Sequence, residues 1–192
     1  MGSEAPKVGI DWAAVTDEAT RILCDYIRID TTNPPGNEKA GAVFLREILA
    51  RDGISSELHD AGDGRVSISA RIAGSGGKGL RPICLLSHID VVPVEREHWT
   101  RDPFGGELVD GTIWGRGALD MKGMGVMELM VMLMVKRQGL DLGRDLLFVA
   151  VADEGAGGGH EVREGQHAVS PAVGYRPRGD RERSGGNHDA GL

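Results

Sequence analysis

Residues 145–154 read DLLFVAVADE, an apolar run that is typical of a buried β-strand and ends in two adjacent carboxylates, Asp153 and Glu154. The preceding residues 121–138, MKGMGVMELMVMLMVKRQ, are apolar on almost every side, which predicts a helix packed between a sheet and other helices. An earlier apolar run, ICLLSHID at residues 83–90, predicts another strand. A strand, a helix and a strand in this order form a crossover unit, so the sequence predicts an α/β fold.

Further strands are predicted around this unit. Residues 83–90 are nearly all apolar before His88, which favours a central strand covered on both faces. Residues 55–60 and 66–74 carry β-type runs between glycine-rich turns. Asp110-Gly111 lies between alternating residues and predicts a hairpin turn.

Two amphipathic helices are predicted near the start of the chain. Apolar residues recur at steps of three and four from Trp12 to Ile29 and again from Glu38 to Asp52. Pro34 and Pro35 separate the two helices because proline cannot continue a helix, and Gly53 ends the second one.

Composition excludes several classes of protein. The 192 residues carry a net charge of −7 and no basic stripe, which argues against a nucleic-acid partner. The most apolar segment, residues 129–135, has only seven uninterrupted apolar residues, against the roughly 20 that cross a bilayer, so no membrane association is expected. Cys24 and Cys84 lie far apart in a predicted helix and a predicted buried strand, which favours two reduced core thiols and a cytoplasmic protein. The sequence does not indicate an oligomeric state.

Residues 155–192 differ in character from the rest of the chain. They contain ten glycines and only four residues of the Val, Ile, Leu, Met and Phe type. Such a segment buries too little apolar surface to offset its ordering entropy, so we expect a disordered tail.

Candidate chemistry lies where predicted buried elements end, which is where ligands bind in α/β sheets. His88 and Asp90 are two residues apart, so on an extended strand their side chains share a face, and a carboxylate there can orient a metal-bound imidazole. The alternative is a core histidine beside a turn aspartate.

Two further carboxylates follow the same rule. Asp120 lies between a glycine-rich loop and the apolar helix, where it could instead be a helix N-cap. The loop Gly115-Arg116-Gly117 has neither the dinucleotide-binding nor the phosphate-loop spacing. Glu154 follows a buried strand and suits a general base, although a solvated loop carboxylate fits the same position.

Three segments together resemble a known family. They are LLSHIDVVPV at 85–94, HWTRDPFGGELVDGTIWGRGALDMKGM at 98–124 and FVAVADE at 148–154. In this order and spacing they are similar to the zinc aminoacylase, acetylornithine deacetylase, succinyl-diaminopimelate desuccinylase and glutamate carboxypeptidase family of metallopeptidases. The resemblance covers Trp12 to Glu154 and implies that residues 1–154 are the amino-terminal part of a zinc-hydrolase catalytic domain, with a mixed sheet flanked by helices.

The resemblance also implies roles for individual residues. His88 would be a zinc ligand, Asp120 would bridge two zinc ions, and Asp90 would orient His88. Glu154 would be the catalytic base, taking a proton from the attacking water and returning one to the leaving amine. The reaction would be hydrolysis of an amide bond in an N-acyl amino acid or a small peptide.

The chain departs from the family pattern after Glu154. The family has Asp-Glu-Glu there, and its second glutamate ligates zinc, but this position is Gly155. The family's later ligands and its smaller domain have no recognisable counterpart, whereas a catalytic zinc normally takes three protein ligands. We therefore also expect weak or absent metal binding, a catalytically inactive remnant or binding module as the alternative function, and an out-of-frame or mis-spliced origin for residues 155–192.

Overall fold

The computed structural model describes residues 9–76 and 79–154. Its helices are α1 (Trp12–Arg28), α2 (Glu38–Arg51) and α3 (Lys122–Arg137), with a short 3-10 helix at Arg96–His98. Its strands are β1 (Ser56–Asp60), β2 (Val66–Ile72), β3 (Ile83–His88), β4 (Glu107–Val109), β5 (Thr112–Trp114) and β6 (Leu146–Val151). The three α-helices and strands β1, β2, β3 and β6 lie where the sequence predicts them, within three residues at either end, and β4 and β5 flank the predicted hairpin turn, whereas the 3-10 helix was not predicted. The predicted disorder of residues 155–192 lies outside the described residues.

Local sequence explains where the helices begin and end. Asp11 is the N-cap of α1, and its side chain accepts a hydrogen bond of 3.1 Å from the Ala14 amide. Helix α2 ends before Gly53, which has φ of +66°, a left-handed conformation that glycine adopts without steric cost. The β4–β5 hairpin turns at Asp110 and Gly111, both with positive φ, as expected for this residue pair.

The four-stranded sheet is mixed, as predicted. Its strand order is β1-β2-β6-β3. Strands β1 and β2 pair antiparallel, as do β2 and β6, whereas β6 and β3 pair parallel. The path β3–α3–β6 is therefore the crossover unit that the sequence predicts.

One hydrophobic core joins the helices to one face of the sheet. Tyr26 of α1 stacks on Phe44 of α2, with ring centroids 5.5 Å apart. Phe148 at the centre of β6 is fully buried in the same cluster. Met130 and Met132 of α3 are also buried there, as expected for methionines that fill an irregular core. No helix among the described residues is long and apolar enough to cross a membrane.

The prediction that residues 83–90 form a central strand covered on both faces is wrong. In the part of the chain that the structure describes, β3 is an edge strand, and Ile83 and Leu86 remain 50% and 56% exposed. Cys84 is exposed, so it is not the expected core thiol, whereas Cys24 is buried and both are free. Apolar composition shows that a strand favours burial, but it does not show whether neighbours are present on both sides.

Replacing Phe148 with alanine should lower the free energy of unfolding by about 3–5 kcal/mol, because it empties a buried site in the centre of the sheet. The matched control is Leu86→Ala on the adjacent strand, where the exposed side chain should contribute less than about 1 kcal/mol. Urea denaturation measures both values. Equal losses in the two variants would contradict this description of the core.

Candidate active site

The candidate site lies at the carboxyl ends of β3 and β6. Because these strands are parallel neighbours, their ends meet at one edge of the sheet, and His88 pairs in register with Val151. The His88 Nε2 atom is 3.3 Å from Asp120 Oδ1 and 3.6 Å from Glu154 Oε2. The structure thus brings together the imidazole and both carboxylates from three separate segments.

Contacts of Asp90 with the Nδ1 atom fix the orientation of the His88 ring. Its Nδ1 atom is 2.9 Å from the backbone oxygen of Asp90 and 3.6 Å from Asp90 Oδ1. A carbonyl oxygen only accepts, so Nδ1 donates its hydrogen to it. In the neutral ring the lone pair is therefore on Nε2, which faces Asp120 and Glu154. Asp90 orients the ring largely through its main chain, a contact that the resemblance did not predict.

The Asp90 carboxylate has a second partner. Its side chain is fully buried, and Oδ1 accepts a hydrogen bond of 3.1 Å from the Glu154 amide. Asp90 therefore contacts both the imidazole and the backbone of the proposed base. This double contact distinguishes it from the turn aspartate of the alternative interpretation.

Asp120 lies in the loop that leads into α3, and its side chain is 88% exposed. The N-cap of the helix is Met121, without a side-chain hydrogen bond, so the N-cap interpretation of Asp120 is not supported. The loop is anchored by Lys122, which is fully buried. Its Nζ atom donates hydrogen bonds of 3.0 and 2.6 Å to the backbone oxygens of Tyr26 and Ile29, at the end of α1.

Sequence reasoning missed three buried polar residues beside the site. The sequence indicates only that Lys122 lies at the start of a helix, and no local pattern shows that its Nζ atom contacts the end of α1. Asn33 and Glu38 flank the prolines between α1 and α2, and both are fully buried. Two polar residues around Pro-Pro-Gly are an ordinary turn signal, so their contacts with the site become visible only in three dimensions.

The electrostatics of the site favour a cation at His88. The Asp90 carboxylate raises the pKa of the imidazole to about 9, burial opposes the shift, and Asp120 adds to it. The metal-free imidazole is therefore protonated at neutral pH. A proton and a metal ion compete for the same nitrogen, because both need its lone pair.

Two of the side chains at the site carry donor atoms that suit a metal ion. An imidazole nitrogen and a carboxylate oxygen are both ordinary zinc donors, and His88 Nε2 lies 3.3 Å from Asp120 Oδ1. Within residues 9–76 and 79–154, no group of three or more His, Cys, Asp and Glu side chains is arranged to hold a metal ion. His88 and Asp120 therefore fit a metal as two ligands of an incomplete set.

Comparison with known proteins agrees with this geometry. Residues 84–182 match the sequence model described as Peptidase family M20/M25/M40. The chain belongs to this family. Membership in the M20/M25/M40 peptidases confirms the resemblance drawn from the three sequence segments. The match extends to residue 182, so the expectation that the resemblance stops at Glu154 is wrong.

Curated relatives include an aminoacylase and a desuccinylase. Pig aminoacylase-1 is 37% identical over 138 residues, which is 71% of this chain and 34% of that protein. Succinyl-diaminopimelate desuccinylase of Cereibacter sphaeroides is 41% identical over 104 residues, which is 53% of this chain and 26% of the enzyme. The chain thus spans about a third or less of the length of these relatives.

Solved structures show the same fold. Human carnosine dipeptidase 1 superposes with a TM-score of 0.68 at 22% identity, covering 83% of this chain and 36% of that one. A Bacillus subtilis protein, described as a dinuclear metal binding peptidase from the M20 family, has a TM-score of 0.56 at 23% identity, covering 85% of this chain and 42% of that one. At these identities the likeness establishes the fold alone.

The raised His88 pKa predicts how stability depends on pH in protein kept metal-free by a chelator. Protonation of the folded state is favoured, so the stabilisation is fully present below about pH 6.5 and is lost as pH rises through about 9. The contribution of His88 to the free energy of unfolding should fall by about 3 kcal/mol across this range. Burial lowers the pKa of Lys122 to about 7, so its contribution rises with pH above about 7 and opposes that of His88.

Urea denaturation at a series of pH values measures this change. The stability of wild type minus that of His88→Gln isolates the histidine and should fall as pH rises from about 6.5 to 9, whereas the exposed control His98→Gln should follow the wild-type curve. The same slope in wild type and His88→Gln would contradict the assignment.

Proposed function

We propose that this chain carries the chemistry of a metal-dependent hydrolase of amide or peptide bonds, of the aminoacylase or carboxypeptidase type. One observation carries the proposal: His88 Nε2 faces Asp120 and Glu154 while Nδ1 is held by Asp90. Membership in a peptidase family and relatives named for amide hydrolysis support it.

Each residue has a definite task in this proposal. His88 and Asp120 would hold the metal, with zinc as the expected ion and two ions per site in the intact family. A bound divalent cation would supply Lewis acidity toward the substrate carbonyl and the attacking water. The Glu154 side chain, 64% exposed, is open to water and substrate, so it can take the proton from the attacking water and deliver one to the departing amine.

The proposed substrate is an N-acyl amino acid or a small peptide. The names of the relatives support this class, since an aminoacylase and a desuccinylase both remove an acyl group from an amine. A cytoplasmic setting remains part of the proposal, and the two free thiols agree with it.

A second candidate function follows from the incomplete ligand set. With only His88 and Asp120 positioned as ligands among the described residues, and glycine at position 155, the chain could be a non-catalytic member that binds ligands without hydrolysing them. Zinc content and turnover separate this candidate from the first.

Glu154→Gln tests the proposed base. In zinc-loaded protein, the substitution should lower kcat for an N-acetyl amino acid by about 100-fold or more, because glutamine cannot accept the proton. Zinc content should remain unchanged, since Glu154 is not proposed as a ligand. The matched control, Glu95→Gln, removes an exposed carboxylate that pairs with His98 and should keep wild-type turnover.

The outcome separates the two functions. Undiminished turnover in Glu154→Gln would reject Glu154 as the base. No turnover in zinc-loaded wild-type protein would reject the hydrolase and favour the binding module.

His88→Ala tests the metal site directly. After dialysis against zinc-free buffer, wild-type protein should retain less than one zinc per chain, because two ligands hold a metal weakly. The variant should bind zinc at least about 10-fold more weakly, because it loses the imidazole ligand. Elemental analysis and calorimetric titration measure both quantities. One tightly held pair of metals in wild type would contradict the incomplete site, and equal affinity in the variant would exclude His88 as a ligand.

A further inference from the structure

The turn that follows β6 is held by side chains from three distant parts of the chain. After the strand ends at Val151, three successive backbone amides each donate a hydrogen bond to a side chain. The three bonds run from the Ala152 amide to Ser67 Oγ at 3.0 Å, from the Asp153 amide to Glu38 Oε1 at 3.3 Å, and from the Glu154 amide to Asp90 Oδ1 at 3.1 Å. The path of this turn is therefore set by tertiary contacts.

Asp153 adopts a backbone conformation that needs such support. Its φ of +66° lies in the left-handed region, which is uncommon for a residue other than glycine. Its side chain accepts a hydrogen bond of 2.7 Å from Asn33 Nδ2 and forms an ion pair of 3.2 Å with Arg65 Nε. These contacts hold the residue immediately before Glu154 in a fixed conformation.

Glu38 makes the least expected of these contacts. It opens α2, where an exposed carboxylate would suit the helix dipole equally well, yet its side chain is fully buried. Burial raises the pKa of its carboxyl, and the nearby Asp90 adds to the shift. Burying an acid beside another acid is costly. The place of Glu38 at the start of α2 therefore does not explain why its side chain is buried.

We infer that Glu38 and Asn33 are positioning residues for Glu154. Glu38 fixes the Asp153 amide and Asn33 fixes the Asp153 side chain, and together they turn the Glu154 side chain toward His88 Nε2. The α1–α2 connection and the first residue of α2 thus set the geometry of a turn about 115 positions later. The role of Glu154 as a base rests on the proposed function, whereas the positioning rests on these contacts alone.

Backbone amide exchange measured by NMR tests the inference without any requirement for activity. Glu38→Met keeps the size of the side chain and removes the acceptor, so exchange at Asp153 and Glu154 should accelerate about 5- to 10-fold. Exchange at Phe148, in the middle of β6, should stay unchanged. Glu38→Gln retains an amide oxygen that can accept the bond and should restore slow exchange. Glu47→Met, at an exposed position of the same helix, is the matched control and should leave exchange unchanged.

Kinetics give a second readout in zinc-loaded protein. Glu38→Met should lower kcat about 10-fold with little change in KM, because a misplaced base affects the chemical step more than binding. Glu38→Gln should restore most of the loss. If wild-type protein does not turn over, the proposed function fails, and the exchange experiment still decides the positioning.

Two results would overturn the inference. One is unchanged exchange at Asp153 and Glu154 in Glu38→Met. The other is equal acceleration throughout β6, including Phe148, which would show a purely structural role. If Glu38→Met does not fold, Asn33→Leu, read at the same amides and judged by the same criteria, takes its place.

Discussion

The candidate site depends on the parallel pairing of β3 with β6. This pairing places His88 beside Val151, so the imidazole and the turn at residues 152–154 leave the sheet at the same edge. The third group, Asp120, arrives through the loop before α3, the helix that makes parallel pairing possible. Lys122 attaches this loop to the end of α1. One strand pairing and one buried lysine side chain thus bring three distant side chains to a common point.

The distribution of negative charge gives the site its chemical character. Asp90 and Glu38 are buried carboxyl residues, and Asp120 and Glu154 add two exposed carboxylates in front of His88. Asp90, which lies at Nδ1, is the main reason that the pKa of His88 rises to about 9 despite burial, and Asp120 at Nε2 adds to the rise. A proton satisfies the preference of these carboxylates for positive charge in metal-free protein, and a divalent cation would satisfy it more fully because it interacts with several carboxylates at once.

Much of this architecture could be predicted from the sequence, because its signals are local. Period-3.6 patterns predicted α1 and α2, Asp110-Gly111 predicted the hairpin, and the strand–helix–strand order predicted parallel pairing at the site. His88, Asp120 and Glu154 were predicted to lie together, and the structure brings them together. Their assigned roles remain predictions.

Long-range contacts could not be predicted in the same way. Apolar composition at residues 83–90 could not show that β3 lacks a neighbour on one side in the described chain, which also leaves Cys84 exposed. The reach of Glu38 to the Asp153 amide joins residues far apart in sequence, and no periodic pattern records such a contact. The sequence also could not show which oxygen of Asp90 binds His88. The Nδ1 atom lies 2.9 Å from the backbone oxygen and 3.6 Å from the carboxylate oxygen Oδ1, and this difference is evident only in three dimensions.

The unpaired side of β3 has a geometric consequence for the ligand set. Its amides and carbonyls can receive another strand from this chain or from a different polypeptide, since the described residues offer no neighbour there. A strand that paired parallel with β3 on this side would end next to His88, beside the candidate site. A strand added to the sheet at this side could therefore also bring further donor atoms to a metal at the site.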